Sequence, residues 1–161
     1  MKKETVGQGF RVPGFTTAGI FCGIKTNKQK DLALIFSEEP SVAAGLFTSN
    51  QVVSPTITWC QEILKSSKRF RAIVVNSGNA NACTGPKGME DCKSLASKLS
   101  QKLSVEPKEI LIASTGIIGV PLPINKIVKA LPALSSKLSP IGWVSSAEAI
   151  MTTDLTPKFK S

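Results

Sequence analysis

Three short stretches of the chain hold residues whose types and spacing suit the handling of a polarised carbonyl. The first is Ile110-Leu111-Ile112-Ala113 running straight into Ser114-Thr115-Gly116-Ile117-Ile118-Gly119. An apolar run that stops at Ser-Thr-Gly reads as a buried strand ending at a tight turn. Gly116 has no Cβ and takes backbone angles other residues avoid. N–H groups gathered at such a turn suit a developing negative charge, as in an oxyanion hole. A strand followed by an ordinary loop fits the same residues. The second stretch is Asn76-Ser77-Gly78-Asn79-Ala80-Asn81-Ala82-Cys83-Thr84-Gly85. Its amides and hydroxyls bond readily to backbone and to one another, either to build a site or to cap the next helix. The third is Thr152-Thr153-Asp154 near the end.

None of these can activate a nucleophile by a standard route. The chain has no His, which excludes a Ser-His-Asp triad, a Cys-His dyad and any His-ligated metal within it. Cys22, Cys60, Cys83 and Cys92 show no Cys-x-x-Cys spacing, so no zinc site is expected. The 11 acidic residues form no obvious acid–base pair, and no phosphate-binding Gly-x-x-x-x-Gly-Lys-Ser/Thr is present. Ser114 or Thr115 could act as a nucleophile only beside a Lys or an N-terminal amine. Taken alone, the chain looks like half of an active site.

The elements that position these stretches follow from the apolar pattern. The sequence predicts strands over Asp31–Phe36, Val42–Thr48, Phe70–Val75 and Ile110–Ala113, with Ser37-Glu38-Glu39-Pro40 ending the first. Helical spacing of Ile57, Cys60, Ile63 and Leu64 predicts a helix over 55–66. Met89, Cys92, Leu95, Leu99 and Leu103 give the clearest amphipathic helix, with Asp91 near its start. Pro121 and Pro123 open another helix, carried by Ile124, Ile127, Val128 and Leu131 and broken or kinked at Pro132. A short helix is expected over 145–151. Residues 1–20 read as irregular or short-strand structure. The Asn-rich segment falls at a strand's carboxyl end, where α/β proteins build sites.

At 161 residues the chain suits a single domain, 1–161, able to bury about 70% of its unfolded surface. Its 42% apolar content is too high for a disordered chain. The net charge of +9 raises nucleic acid, membranes and acidic partners, but the lysines are scattered and there is no Tyr for base stacking. No nucleic acid and no membrane partner is expected. The start Met1-Lys2-Lys3-Glu4-Thr5 has no secretory apolar region, so a cytoplasmic protein with reduced, mostly buried thiols is expected.

The three stretches, with Gly14-Phe15, Ala18-Gly19-Ile20, Lys30–Ile35 and Ala43–Asn50 in the same order, resemble the ornithine acetyltransferase (glutamate N-acetyltransferase) family of arginine biosynthesis. The resemblance covers nearly the whole chain. It implies an α/β fold, the N-terminal α-chain part of an αββα sandwich whose core is shared by two chains. It implies a precursor that cuts itself into an α chain and a β chain led by a Thr nucleophile, assembled as a higher αβ oligomer. That Thr takes acetyl from N-acetylornithine and passes it to glutamate, with its own α-amine as base. No cofactor is implied; some members use acetyl-CoA as a substrate. The oxyanion pair falls on Thr115 and Gly116 as catalytic residues, and a substrate-binding Thr falls on Thr152. The chain stops at Ser161, before the Lys-Gly-rich segment and the Ala-Thr cleavage junction, and Leu155 stands where the family usually has Thr. Two other readings stay open: a truncated, non-catalytic α/β remnant or binding subunit, and a Ser114-based acyl-binding or peptidase-like relative.

Overall fold

Apolar runs rich in Ile, Leu, Val and Phe become strands because they bury side chains on a pleated surface. The computed structural model describes residues 9–158. The polar start Met1–Thr5, Gly7 and the end Phe159–Ser161 lie outside them. Four strands, β1 (Phe15–Ile20), β2 (Leu32–Ser41), β3 (Phe70–Asn79) and β4 (Ile110–Ile117), form one sheet in the order β1-β2-β3-β4. The β1–β2 and β2–β3 pairs are antiparallel, and β3–β4 is parallel. A parallel neighbour needs a crossover. Helix α2 (Gly85–Leu103) supplies it between β3 and β4.

Helices α1 (Pro55–Ser66), α2 and α3 (Ile124–Ser136) join the core cluster with one face of the sheet. The α2 stripe Cys92, Leu95 and Leu99 is at most 1% exposed and meets Leu32, Leu34, Val74, Ile110 and Ile112 in the same cluster. Two side chains pin α1 to β4. Trp59 Nε1 donates to the Ile110 carbonyl at 3.0 Å, and the Cys60 thiol donates to the Ile112 carbonyl at 3.1 Å. Helix α4 (Trp143–Ile150) packs against β1, β2 and β3. It comes very close to β1 because Gly19 lacks a Cβ. A methyl there would sit 1.9 Å from the Ser145 carbonyl oxygen. Under α4, the Thr17 hydroxyl is bonded to that of Ser146 and donates to the Leu34 carbonyl.

The expected α/β class, helix 55–66 and the amphipathic stripe are present as read. Several expectations change. The strand that opens at Ile110 does not stop in a tight turn at Ser114-Thr115-Gly116: β4 runs through all three to Ile117, paired with β3 along the way. Residues 42–48 are not a strand: the chain leaves the sheet after Ser41 and this apolar stretch joins no ladder. Val42 and Leu46 are exposed. Nor does Ser37–Pro40 end β2, which runs on to Ser41 through a shift in register after Phe36. Arg71 holds that extension, donating from Nε to the Ser37 carbonyl and from a terminal nitrogen to the Glu38 carbonyl, both at 2.8 Å. Finally, Pro132 does not end α3, which continues to Ser136 with the proline on its exposed side.

Candidate active site

The parallel pair β3–β4 carries its carboxyl ends side by side, and the candidate residues sit there. Register places Gly78 opposite Gly116. Both have positive φ, 96° and 135°. A Cβ on Gly116 would lie 2.4 Å from the Gly78 carbonyl carbon and 2.5 Å from the Asn79 nitrogen. Only a residue without a side chain lets the two backbones approach this closely. The strand alternation then separates Ser114 from Thr115. Ser114 donates to Asn76 Oδ1 at 2.6 Å and lines an apolar cavity of about 270 Å³ with Cys60 and Ile112. Thr115 and Gly116 face an open cleft of about 520 Å³.

The same cleft is lined by Thr152 and Thr153, by Gly78 and Ile117, and by Ile24, Lys25, Thr26, Asn27 and Gln29. Thr115, Gly116 and Thr152, read from separate stretches, therefore share one cavity. Thr152 is exposed, as is Leu155 at 99%. The Asp154 carboxyl is held below the usual carboxylate range, first by its hydrogen bond from Lys158 and then by that lysine's charge.

The Asn-rich stretch turns out to be a brace. Its first part, Asn76–Asn79, belongs to β3. Asn76 Nδ2 donates to the Asn79 carbonyl at 2.8 Å, and Asn79 Nδ2 donates to the Val120 carbonyl at 3.0 Å. The Asn81 N–H donates to Asn79 Oδ1, and Asn81 Nδ2 donates to the Gly88 carbonyl in the first turns of α2. Backbone bonds from Ala80 to the Ile117 carbonyl and from Gly119 to the Ala82 carbonyl tie the run to the segment beyond Gly116. These three asparagines are at most 3% exposed, so their amides hold the strand ends in place. Gly78 is the residue of the run that reaches the cleft.

Residues 22–31 form a wall of the cleft that the sequence reading missed. Asp31, read there only as the first residue of a strand, is fully buried. Its carboxylate accepts four backbone N–H groups, from Cys22, Gly23, Ile24 and Lys25, at 2.6 to 3.1 Å. Successive backbone N–H groups curled around an anion form a concave nest. Here the anion is the chain's own side chain. The signal available in sequence was an Asp shortly after Cys22-Gly23, where a Gly permits such a curl. Lys25, at the loop's end, donates from Nζ to the Lys30 carbonyl at 2.9 Å and to the Met151 carbonyl at 2.6 Å. Burial lowers its ammonium below the ordinary lysine value, against an opposing pull from Asp31.

Among the described residues no cluster of His, Cys, Asp and Glu could hold a metal ion. Nor does any base stand out beside a hydroxyl. The Ser114 hydroxyl is engaged by an amide rather than an amine. The cleft offers hydroxyls, backbone N–H groups and a lysine, which bind and polarise.

Residues 16–161 match the family model of the ArgJ family. The chain belongs to the ArgJ family. It is 48% identical over 141 residues to the arginine biosynthesis bifunctional protein ArgJ of Caldanaerobacter subterraneus subsp. tengcongensis, a match covering 88% of this chain and 34% of that protein. With the ArgJ of Thermosynechococcus vestitus it shares 43% identity over 145 residues, 90% of this chain and 35% of the other. The chain thus spans about a third of the length of these ArgJ relatives. The ornithine acetyltransferase of Mycobacterium tuberculosis, solved in complex with ornithine, superposes with a TM-score of 0.85 at 39% identity, over 89% of this chain and 78% of that one. The ArgJ of Bacillus halodurans gives a TM-score of 0.84 at 34% identity, over 89% of this chain and 75% of that one. The α/β sheet described above is therefore the ArgJ fold.

Proposed function

We propose that this chain is the α-chain half of a glutamate N-acetyltransferase of arginine biosynthesis, completed by a β chain that begins with a Thr nucleophile. The observation that carries this reading is the meeting of Thr115, Gly116 and Thr152 on one cleft of an ArgJ chain. The β-chain Thr hydroxyl attacks the acetyl carbonyl of N-acetylornithine, and its α-amine takes the hydroxyl proton. The Thr115 hydroxyl and the Gly116 N–H receive the negative charge that forms on the carbonyl oxygen. Collapse expels ornithine, which leaves with the proton, and the acetyl group stays on the nucleophile. Glutamate then enters, its amine takes the acetyl group, and the Thr is regenerated. Thr152 binds substrate from the same cleft. The base comes with the nucleophile, which accords with a chain that contains no His.

This reading assigns Thr115 a role at the transition state rather than in binding. Losing one oxyanion donor costs about 10²–10³ in rate. Thr115→Ala, in the complex with a Thr-led β chain, is expected to cut kcat at least about tenfold with little change in KM. Unchanged turnover would sink the oxyanion assignment. Ser114→Ala separates the acyl-enzyme alternative. Ser114 faces Asn76 and a different cavity, so its loss is expected to leave the capacity for acetyl transfer in place.

A further inference from the structure

Thr152 lines the same cleft as Thr115 and Gly116 and lies just past the C-terminus of α4, with only Met151 between. Its position depends on where α4 ends. A helix leaves its last carbonyls without intrahelical partners, and cations are favoured there. Two side chains from other elements occupy these carbonyls. Ser77 of β3 donates its hydroxyl to the Ala149 carbonyl at 2.6 Å, and Lys25 Nζ donates to the Met151 carbonyl at 2.6 Å. Lys25 is itself fixed from behind, because its N–H is one of the four bound by the buried Asp31 carboxylate. Lys30 adds an ion pair to Glu148, in the last turn of the same helix. The loop meets the other wall as well: a Cβ on Gly78 would lie 3.0 Å from the Ile24 side chain and 3.1 Å from that of Lys25.

We propose that Lys25 is a positioning residue, a clasp that ties the C-terminus of α4 to the Asp31-centred loop and so sets the place of Thr152 on the cleft it shares with Thr115 and Gly116. This rests on the acetyltransferase reading for its effect on turnover, but not for its effect on structure. The bond that matters is charge-assisted and of the stronger kind. It fixes the one residue between α4 and Thr152. Asp31 is the anchor of the clasp and Lys25 its moving end. The ammonium acts through Thr152, so its loss weakens substrate capture while the oxyanion pair and the nucleophile stay in place.

The test uses the complex with a Thr-led β chain and two variants, Lys25→Met, which removes the donor, and Lys25→Gln, which keeps a shorter one. Amide hydrogen exchange is read over 148–154, where the Met151 N–H donates to the Glu148 carbonyl, and over α2 as a reference. Loss of a hydrogen bond to a charged group corresponds to about tenfold faster local opening. Exchange over 148–154 is expected to quicken by about that factor in Lys25→Met, and by less in Lys25→Gln, with α2 unchanged. In the same preparations KM for N-acetylornithine is expected to rise about tenfold while kcat changes by less than about threefold. Unchanged exchange over 148–154 would overturn the clasp. Equal acceleration throughout the chain would also overturn it, by reducing Lys25 to general stability. A fall in kcat with KM unmoved would remove its link to Thr152. If the unmodified complex transfers no acetyl group, the acetyltransferase reading fails and the exchange result still decides the clasp.

Discussion

On the proposed reading, the residues of this chain hold and polarise the substrate rather than attack it. Thr115 owes its direction to strand alternation, which turns Ser114 the other way toward Asn76. The four thiols show how strongly environment separates like residues. Burial pushes Cys92 up to about 12, aided by the nearby Cys60 and Asp91. Burial also pushes Cys22 up to about 12, with Asp31 adding to it. Cys83 is exposed. Thiolate is the reactive form. Brief treatment of the folded chain with iodoacetamide at pH 8 is therefore expected to modify Cys83 and to spare Cys22 and Cys92, as peptide mass mapping would show. The same shifts carry a stability consequence. Unfolding returns both thiols to about 9, so above that pH the unfolded chain sheds protons that the folded chain keeps. Their contribution is complete below pH 9 and is lost as pH rises toward 12; a denaturant midpoint that climbs over that range would contradict it.

At the scale of elements, two backbone devices hold the cleft open. One is the Gly78–Gly116 contact between β3 and β4. In Gly116→Ala the new methyl meets backbone 2.4 Å away at a φ of 135°, and neither can yield without moving a strand. The expected cost is about 3 kcal/mol or more, read as a lowered urea midpoint. The other is the Asp31 nest. Asp31→Ala leaves four N–H groups without their acceptor, at about 1–3 kcal/mol for each that water does not reach. A loss below about 1 kcal/mol would show that the loop is held by something else. Much of this level could be read from the sequence, and for clear reasons. Helix α1 carries its apolar residues at helical spacing, and α2 repeats Cys92, Leu95 and Leu99 on one stripe, so period alone reveals both. Residues 42–48 have the composition of a strand yet join no ladder, since composition does not show that the chain leaves the sheet after Ser41. Asp31 left only a faint signal, an Asp shortly after Cys22-Gly23, because its four partners become visible only when the loop before it curls.

For the molecule as a whole, the sheet is covered on one face by α1, α2 and α3 and only partly on the other by α4. Ile73 of β3 remains 38% exposed, and Val42, Leu46 and Val52, on the segment between β2 and α1, are largely exposed. Exposed apolar surface of this kind marks an association face. The chain alone is expected to self-associate as its concentration rises, in sedimentation velocity, and to become a single species when the β chain is present. The motifs that showed the family were readable because each sits where the backbone geometry demands it: Gly116 against Gly78, and Thr152 just past the end of α4. That these residues converge on a single cleft was not, since 35 residues and two helices separate Gly116 from Thr152. Helix α4 brings them together by docking on Gly19.

The central claim is that the chain supplies one half of a split acetyl-transfer site. The most direct measurement mixes N-acetylornithine carrying a labelled acetyl group with glutamate, and adds this chain, a Thr-led β chain, or the two co-expressed. Labelled N-acetylglutamate is expected only from the co-expressed pair, and is expected to fall at least about tenfold when the pair carries Thr115→Ala. A co-purified, folded pair that transfers no label, or a β chain equally active without this one, would contradict it.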